Sequence, residues 1–226
     1  MMSAIEDARM IPTLIAALLA ATPPHSPLPN RLALVVAVEQ DTTAPLDASA
    51  LAAVDQEVGR LWRPYADVTV RAEADAPMVA ADDVLTLVIT DMSHSGDGLG
   101  WIEFVDGRPT HTIYVSRAEA LRLAAVGRVG GREIADWPLA MRHVFLVRAV
   151  ARAIAHEVGH YLLRSREHAA TGLMRPRFTV SELMDASAAK YRLEAAQEAI
   201  LQQRVRGYLL ARNGLHDPVP LEPGGR

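Results

Sequence analysis

The sequence predicts a single α/β (α+β) domain with a mixed twisted sheet, one long helix and a C-terminal helix. Short apolar runs rich in valine, which are typical of buried strands, all lie in the first half of the chain. The segment 139–163 contains one glycine and no proline and is apolar on most of its circumference, so it predicts a long, largely buried helix. Early strands followed by a helical second half indicate one domain, for which 226 residues are sufficient.

Local patterns place the elements of the first half of the chain. The predicted strands cover residues 32–38, 68–72, 84–90, 101–105 and 112–115. Asp47 stands where an N-cap would begin the first helix, and Pro64 ends that helix. Ser116 and Glu119 have the spacing of a capping box, which predicts the start of a second helix.

The second half is predicted to consist of two long helices joined by polar chain. The first of these is the apolar segment 139–163. The last helix is predicted to run from Glu182 to Arg212, with Thr179 or Ser181 as its cap.

The two ends of the chain are predicted to lie outside this domain, which would cover residues 31–212. Residues 1–30 combine the apolar run Met10 to Ala21 with a proline-rich linker, and 213–226 form a tail rich in glycine and proline. The apolar run has the length of a signal-peptide core and is too short to cross a bilayer, so we expect no stable membrane span. Export from the cytoplasm is favoured over a helix packed on the domain.

Composition narrows the chemistry that the chain can perform. The absence of cysteine excludes disulfides, thiolate nucleophiles and cysteine-ligated zinc, so His, Asp and Glu remain as metal ligands. The net charge is −4, and no arginine-rich stripe is interleaved with aromatic residues. We therefore expect no nucleic-acid partner.

The most informative residues are His156-Glu157-Val158-Gly159-His160, an H-E-x-x-H motif near the end of the long helix. Helical positions four apart lie about 40° apart around the axis and about 6 Å along it, so both imidazoles can reach one zinc ion. Glu157 lies about 100° from His156, near the metal but not on it, where it can act as a general base. A chance match is the competing interpretation, but an apolar helix has little reason to bury two histidines and a glutamate.

A catalytic zinc site usually has three protein ligands, and His168 is the predicted third. On a continuous helix His168 would lie about 12 Å beyond His160, so the chain has to leave the helix around residues 163–166 and turn back. Glu167 and Glu182 are alternative third ligands; Glu182 would give a His-His-Glu site.

The segment HEVGHYLLRSREHAATGLMRP resembles the active-site region of the metzincin zinc endopeptidases, and most closely the matrixin branch. The resemblance implies a zincin-like domain in which His156, His160 and His168 bind Zn²⁺, Glu157 is the base and Met174 lies in a tight turn beneath the metal. It also implies a peptide substrate bound along the outermost strand, for which 101–105 is the candidate.

This chain departs from the metzincin pattern after its second histidine. Leu163 stands where the family has a turn glycine, and the third histidine comes two positions late. We therefore expect the helix to run about half a turn further and to return through a longer loop. The sequence predicts a zinc-dependent endopeptidase; a zinc-binding interaction protein that retains the scaffold without turnover is the alternative.

Overall fold

A computed structural model describes residues 31–78, 81, 83–93 and 98–212 of the chain. The strands and helices, in chain order, are β1 Ala33–Asp41, α1 Ala48–Trp62, β2 Asp67–Ala72, β3 Asp83–Thr90, β4 Gly100–Val105, β5 Arg108–Ser116, α2 Arg117–Val126, β6 Arg128–Val129, β7 Arg132–Glu133, α3 Leu139–Leu163, α4 Val180–Met184 and α5 Ala195–Arg212. Short 3-10 turns cover Glu73–Met78, Ile134–Asp136 and Ala188–Tyr191. The predicted leader, linker and tail lie outside the described residues.

Five strands form one mixed sheet in the order β2-β1-β3-β5-β4. Strands β2, β1, β3 and β5 are parallel, and β4 pairs antiparallel with β5 at the edge. The predicted mixed α/β fold is therefore confirmed, and the strand predicted to be outermost occupies that edge.

Strand β1 is buried on both faces, as its continuous apolar run predicts. The side chains of Leu34, Val36 and Val38 belong to the main core with α1 and α3. Val35 and Ala37 point to the other face, where they form a smaller cluster with a residue of the first 3-10 turn.

Helix α1 is fixed at its start by a cap and along its length by apolar packing. The Asp47 carboxylate accepts a hydrogen bond from the backbone N–H of Ala50 at 2.8 Å, as the sequence predicts. At its end the fully buried Trp62 donates its indole N–H to the carbonyl of Ala155 at 3.1 Å. Helix α1 is thus attached to α3 one residue before the H-E-x-x-H motif.

Helix α3 carries the motif through the middle of the molecule. All residues from 149 to 160 are buried, so the helix has no solvent-facing side over this stretch. None of the described helices combines the length and the apolar character needed to cross a membrane.

The last helix differs from its prediction. Instead of one helix from Glu182 to Arg212, the chain forms α4, leaves the helix at Asp185, and resumes as α5. Two carbonyls that a continuous helix would use, those of Glu182 and Asp185, accept hydrogen bonds from the buried guanidinium of Arg152. The break is a tertiary effect, because Arg152 comes from α3.

Candidate metal centre

Three histidines converge at the end of α3. The ligand atoms of His156, His160 and His168 all lie within 4.8 Å of one another. Their ring centroids form a nearly equilateral triangle with sides of 4.7, 4.9 and 5.2 Å. The first two histidines come from successive turns of one helix, and the third comes from the loop that follows it.

Backbone carbonyls fix the orientation of the two helical imidazoles. Nδ1 of His156 lies 2.8 Å from the carbonyl oxygen of Leu173, and Nδ1 of His160 lies 2.6 Å from that of Ser165. A carbonyl can only accept, so each Nδ1 carries the proton and each Nε2 keeps its lone pair. The two Nε2 atoms are 3.0 Å apart, and neither can donate to the other.

Two facing lone pairs at this distance are unfavourable unless a cation lies between them. Two nitrogens bound to one tetrahedral zinc at about 2.0–2.1 Å would stand roughly 3.3 Å apart, close to the observed separation. Three imidazoles with no thiolate are also a donor set that suits zinc and leaves a fourth position open. The residues present therefore fit the predicted Zn²⁺ ion.

Burial keeps the histidines in the neutral form that binds metal. Burial, together with the neighbouring His160, lowers the pKa of His156 to about 3. Burial also lowers the pKa of His160, and partial desolvation lowers that of the more exposed His168, below the ordinary value of 6.5. All three imidazoles are consequently unprotonated at neutral pH.

Helix α3 ends in a left-handed residue, after which the chain turns back. Leu163 is the last helical residue, and Arg164 then takes a left-handed conformation with φ of 48°. The loop brings His168 back to the other two histidines, as the sequence predicts. The rival carboxylates are not part of this group: Glu182 is paired with Arg175 at 2.5 Å, and Glu167 does not belong to the cluster.

The turn that contains Met174 connects two of the histidines. The carbonyl of Leu173 accepts from His156, and the carbonyl of Met174 accepts from the backbone N–H of Ala169, next to His168, at 2.8 Å. Leu173 and Met174 are completely buried. The turn therefore supports one imidazole directly and the other through its neighbour.

Two glycines allow this turn to pack closely, one against α3 and the other against the chain before α5. A Cβ added to Gly159 would stand 2.1 Å from the sulfur of Met174. Gly172 has φ of +73°, and a Cβ there would stand 2.0 Å from the carbonyl oxygen of Arg192. Gly159 thus has a steric role inside the motif, because it leaves space for Met174.

Glu157 lies between α3 and the edge strand. Its side chain is 5% exposed, and burial raises the pKa of its carboxyl group to about 8. A Cβ added to Gly100, the first residue of β4, would be 3.1 Å from Cγ of Glu157 and 3.3 Å from Oε1. The open edge, which is the side of β4 that pairs with no other strand among the described residues, therefore passes directly beside this carboxylate.

Arg152 also supports this region, although none of the sequence predictions concerns it. It is completely buried one turn before His156, and it contacts Glu57, Tyr191 and the carbonyls at the end of α4. A lone arginine four positions before a histidine, in an otherwise apolar stretch of helix, is the signal that could have identified it. It fixes the chain after the Met174 turn against α3.

Two cavities of about 310 and 540 Å³ lie along α5. The larger one is lined by residues that include Leu34, Tyr161, Arg164 and Arg204. Neither cavity is lined by the three histidines or by the motif glutamate. Both cavities are therefore separate from the metal centre.

The chain is similar to known proteins in solved structures alone. No protein-family model matches the chain, and no curated protein sequence matches it. An archaemetzincin from Methanopyrus kandleri is similar with 16% identity and a TM-score of 0.44, covering 78% of this chain and 97% of that one. A zinc-dependent peptidase from Methanocorpusculum labreanum is similar with 12% identity and a TM-score of 0.46, covering 74% and 99%.

Proposed function

We propose that this protein is a zinc-dependent peptidase that hydrolyses bonds inside extended peptides. The observation that carries the proposal is the convergence of His156, His160 and His168, with a buried carboxylate on Glu157, the residue next to His156 in α3. A Zn²⁺ ion held by the three imidazoles would supply a water molecule of lowered pKa and would polarise the substrate carbonyl.

Glu157 has the environment that a general base needs. Burial raises the pKa of its carboxyl group towards the neutral range, and a nearby divalent cation would lower that pKa again. A base whose pKa lies near the working pH can both accept and release a proton. We propose that Glu157 accepts a proton from the attacking water and donates it to the nitrogen of the leaving amine.

The open edge of β4 supports an extended peptide as the substrate. An unpaired edge strand offers backbone N–H and C=O groups to which an added strand can pair. Gly100 brings that edge against Glu157, and β4 continues from there to Val105. A peptide that pairs along this edge would extend well past the bond beside Glu157, which supports cleavage of internal bonds.

The first test replaces Glu157 with glutamine, which has the same size and cannot accept a proton at neutral pH. We expect Glu157→Gln to retain one zinc per chain and to lose about 10²- to 10⁴-fold in kcat/KM. Zinc is measured by elemental analysis, and hydrolysis by mass spectrometry of a mixed peptide library.

Glu39→Gln is the matched control, because Glu39 is an exposed carboxylate on β1. It should leave both zinc content and hydrolysis unchanged. Full activity of Glu157→Gln would overturn the role of this residue. Zinc without cleavage of any peptide by the unmodified protein would favour the non-catalytic zinc-binding alternative.

A further inference from the structure

Arg166 connects the loop of the third histidine to the edge strand. It lies two residues before His168, and its Nη2 donates a hydrogen bond to the carbonyl oxygen of Phe104 at 3.1 Å. Its guanidinium also lies over the ring of Phe104, 4.8 Å from the ring centroid. The hydrogen bond and the stacking together hold a charged group at one end of the open edge.

The pairing of β4 with β5 determines which backbone groups remain open to a substrate. The backbone N–H of Ser116 donates to the carbonyl of Leu99 at 2.8 Å, and bonded and non-bonded pairs alternate along an antiparallel ladder. Gly100 and Ile102 therefore direct their N–H and C=O groups away from β5. The register shifts after Ile102, and the carbonyl of Phe104 is already occupied by Arg166.

The guanidinium of Arg166 has no acidic partner among the residues that the structure describes. The side chain is exposed, and among residues 31–78, 81, 83–93 and 98–212 no carboxylate lies within 4.0 Å of it. Its neighbours Glu103 and Glu167 make no ion pair with it. The bond to Phe104 uses one of five N–H donors, and within the described part of the chain the other four remain available to a ligand.

We propose that Arg166 is a specificity residue that binds an aspartate or glutamate side chain of the substrate. The inference rests on the proposed peptidase function. The distance along β4 from Gly100, which lies beside Glu157, to Phe104 is about 13 Å at roughly 3.3 Å per residue. The acidic residue of the substrate is therefore three or four positions from the cleaved bond. A guanidinium already fixed by stacking loses little side-chain freedom when it binds a carboxylate.

The test uses blocked peptides that are cut at one bond and carry either glutamate or glutamine at each position in turn. We expect the unmodified protein to favour glutamate about three- to tenfold in kcat/KM at one position, three or four residues from that bond. Arg166→Gln should cleave the glutamate and glutamine peptides equally well, and Arg166→Glu should favour lysine at the same position. Arg166→Lys should keep part of the ratio, because it retains the charge but not the planar fork.

Two controls separate recognition from loop damage and from overall charge. Arg142→Gln removes the same charge from the exposed start of α3 and should keep the full preference. Zinc content is measured for every variant, and the peptides are also titrated into Glu157→Gln by fluorescence anisotropy. That titration reports recognition without turnover.

The outcomes distinguish this inference from the proposed function. Equal cleavage of glutamate and glutamine peptides, or an acidic preference that survives in Arg166→Gln, would overturn the inference and leave the peptidase standing. Selective binding of the glutamate peptide without cleavage by the unmodified protein would overturn hydrolysis and leave the recognition standing. Absence of both binding and cleavage would overturn both.

Discussion

The Nδ1 atoms of His156 and His160 donate to the carbonyls of Leu173 and Ser165. Neither carbonyl belongs to α3, yet each one determines which nitrogen of the imidazole faces the cluster. The ligand geometry thus depends on the loop after the helix as much as on the spacing of the motif. Without that loop the same two histidines could adopt other rotamers.

His168 is the member of the cluster whose removal tests the site most directly. We expect His168→Ala to weaken zinc binding by more than about 100-fold, because losing a ligand should cost more than losing a partner outside the ligand set. Elemental analysis of protein purified without added zinc, followed by a competition titration, measures this change.

His143→Ala is the matched control, since His143 is exposed near the start of α3. It should bind zinc like the unmodified protein. One tightly held zinc in His168→Ala would contradict the three-histidine site and would turn attention to Glu167.

The packing of α3 on the Met174 turn is the contact between elements on which the site depends. Helix α3 is buried on all sides from residue 149 to residue 160, and the turn lies against it where Gly159 leaves space. Intrinsic propensity alone would make alanine the better residue at this helical position, by about 1 kcal/mol. The contact with Met174 should make alanine the less stable choice at position 159.

We expect Gly159→Ala to destabilise the protein by about 1–3 kcal/mol, because its Cβ would overlap the buried sulfur of Met174. The measurement is the free energy of unfolding in urea, with zinc removed by a chelator. Adding Met174→Ala to this variant should restore part of the free energy of unfolding that the overlap removes.

Gly207→Ala in α5 is the matched control, because a Cβ there would meet nothing within 4 Å. It should raise the free energy of unfolding by about 0.5–1 kcal/mol. Equal stabilisation by Gly159→Ala would contradict the tight packing of helix and turn.

At the scale of the whole molecule, the buried ion pair of Arg152 and Glu57 connects distant elements of the fold. Nη2 of Arg152 lies 3.1 Å from Oε1 of Glu57 on α1, and Nη1 donates to the hydroxyl of Tyr191 at 2.7 Å. One guanidinium therefore connects α1, α3 and the chain after α4. Breaking a buried pair costs more than forming it contributes, since one charge is left without a partner.

We expect Glu57→Gln to lower the free energy of unfolding at pH 7 by about 3 kcal/mol. Burial alone would raise the pKa of Glu57, but Arg60 and Arg152 outweigh it and lower that pKa below 4.5. The stabilisation that the Glu57 charge contributes is therefore complete at pH values above the ordinary pKa of 4.5. It is lost as the pH falls through the lowered pKa of the folded protein. Urea unfolding of both proteins between pH 7 and pH 3 should show the difference shrinking below about pH 4.5.

The exposed carboxylate of Glu39 again provides the control, and Glu39→Gln should leave stability nearly unchanged at every pH. A difference between Glu57→Gln and the unmodified protein that grows on acidification would contradict the assigned sign.

Local patterns in the sequence determined several elements of this protein. The valine-rich run of β1, the Asp47 cap and the uninterrupted apolar segment of α3 were all predictable, because each depends on residues close together in the chain. The same spacing predicted that His156 and His160 share one helical face. The prediction that the chain leaves the helix around residues 163–166 and turns back also followed from residues near the motif.

Contacts between distant parts of the chain were decided by the tertiary structure alone. Arg152 divides the predicted last helix by binding carbonyls about thirty residues away, and no local pattern of residues 182–212 records this. The fit of Met174 against Gly159, the carbonyl that orients His156 and the approach of Gly100 to Glu157 are likewise long-range contacts. The physical reason is that propensity and periodicity act over a few turns, whereas burial and steric fit depend on which distant surfaces meet.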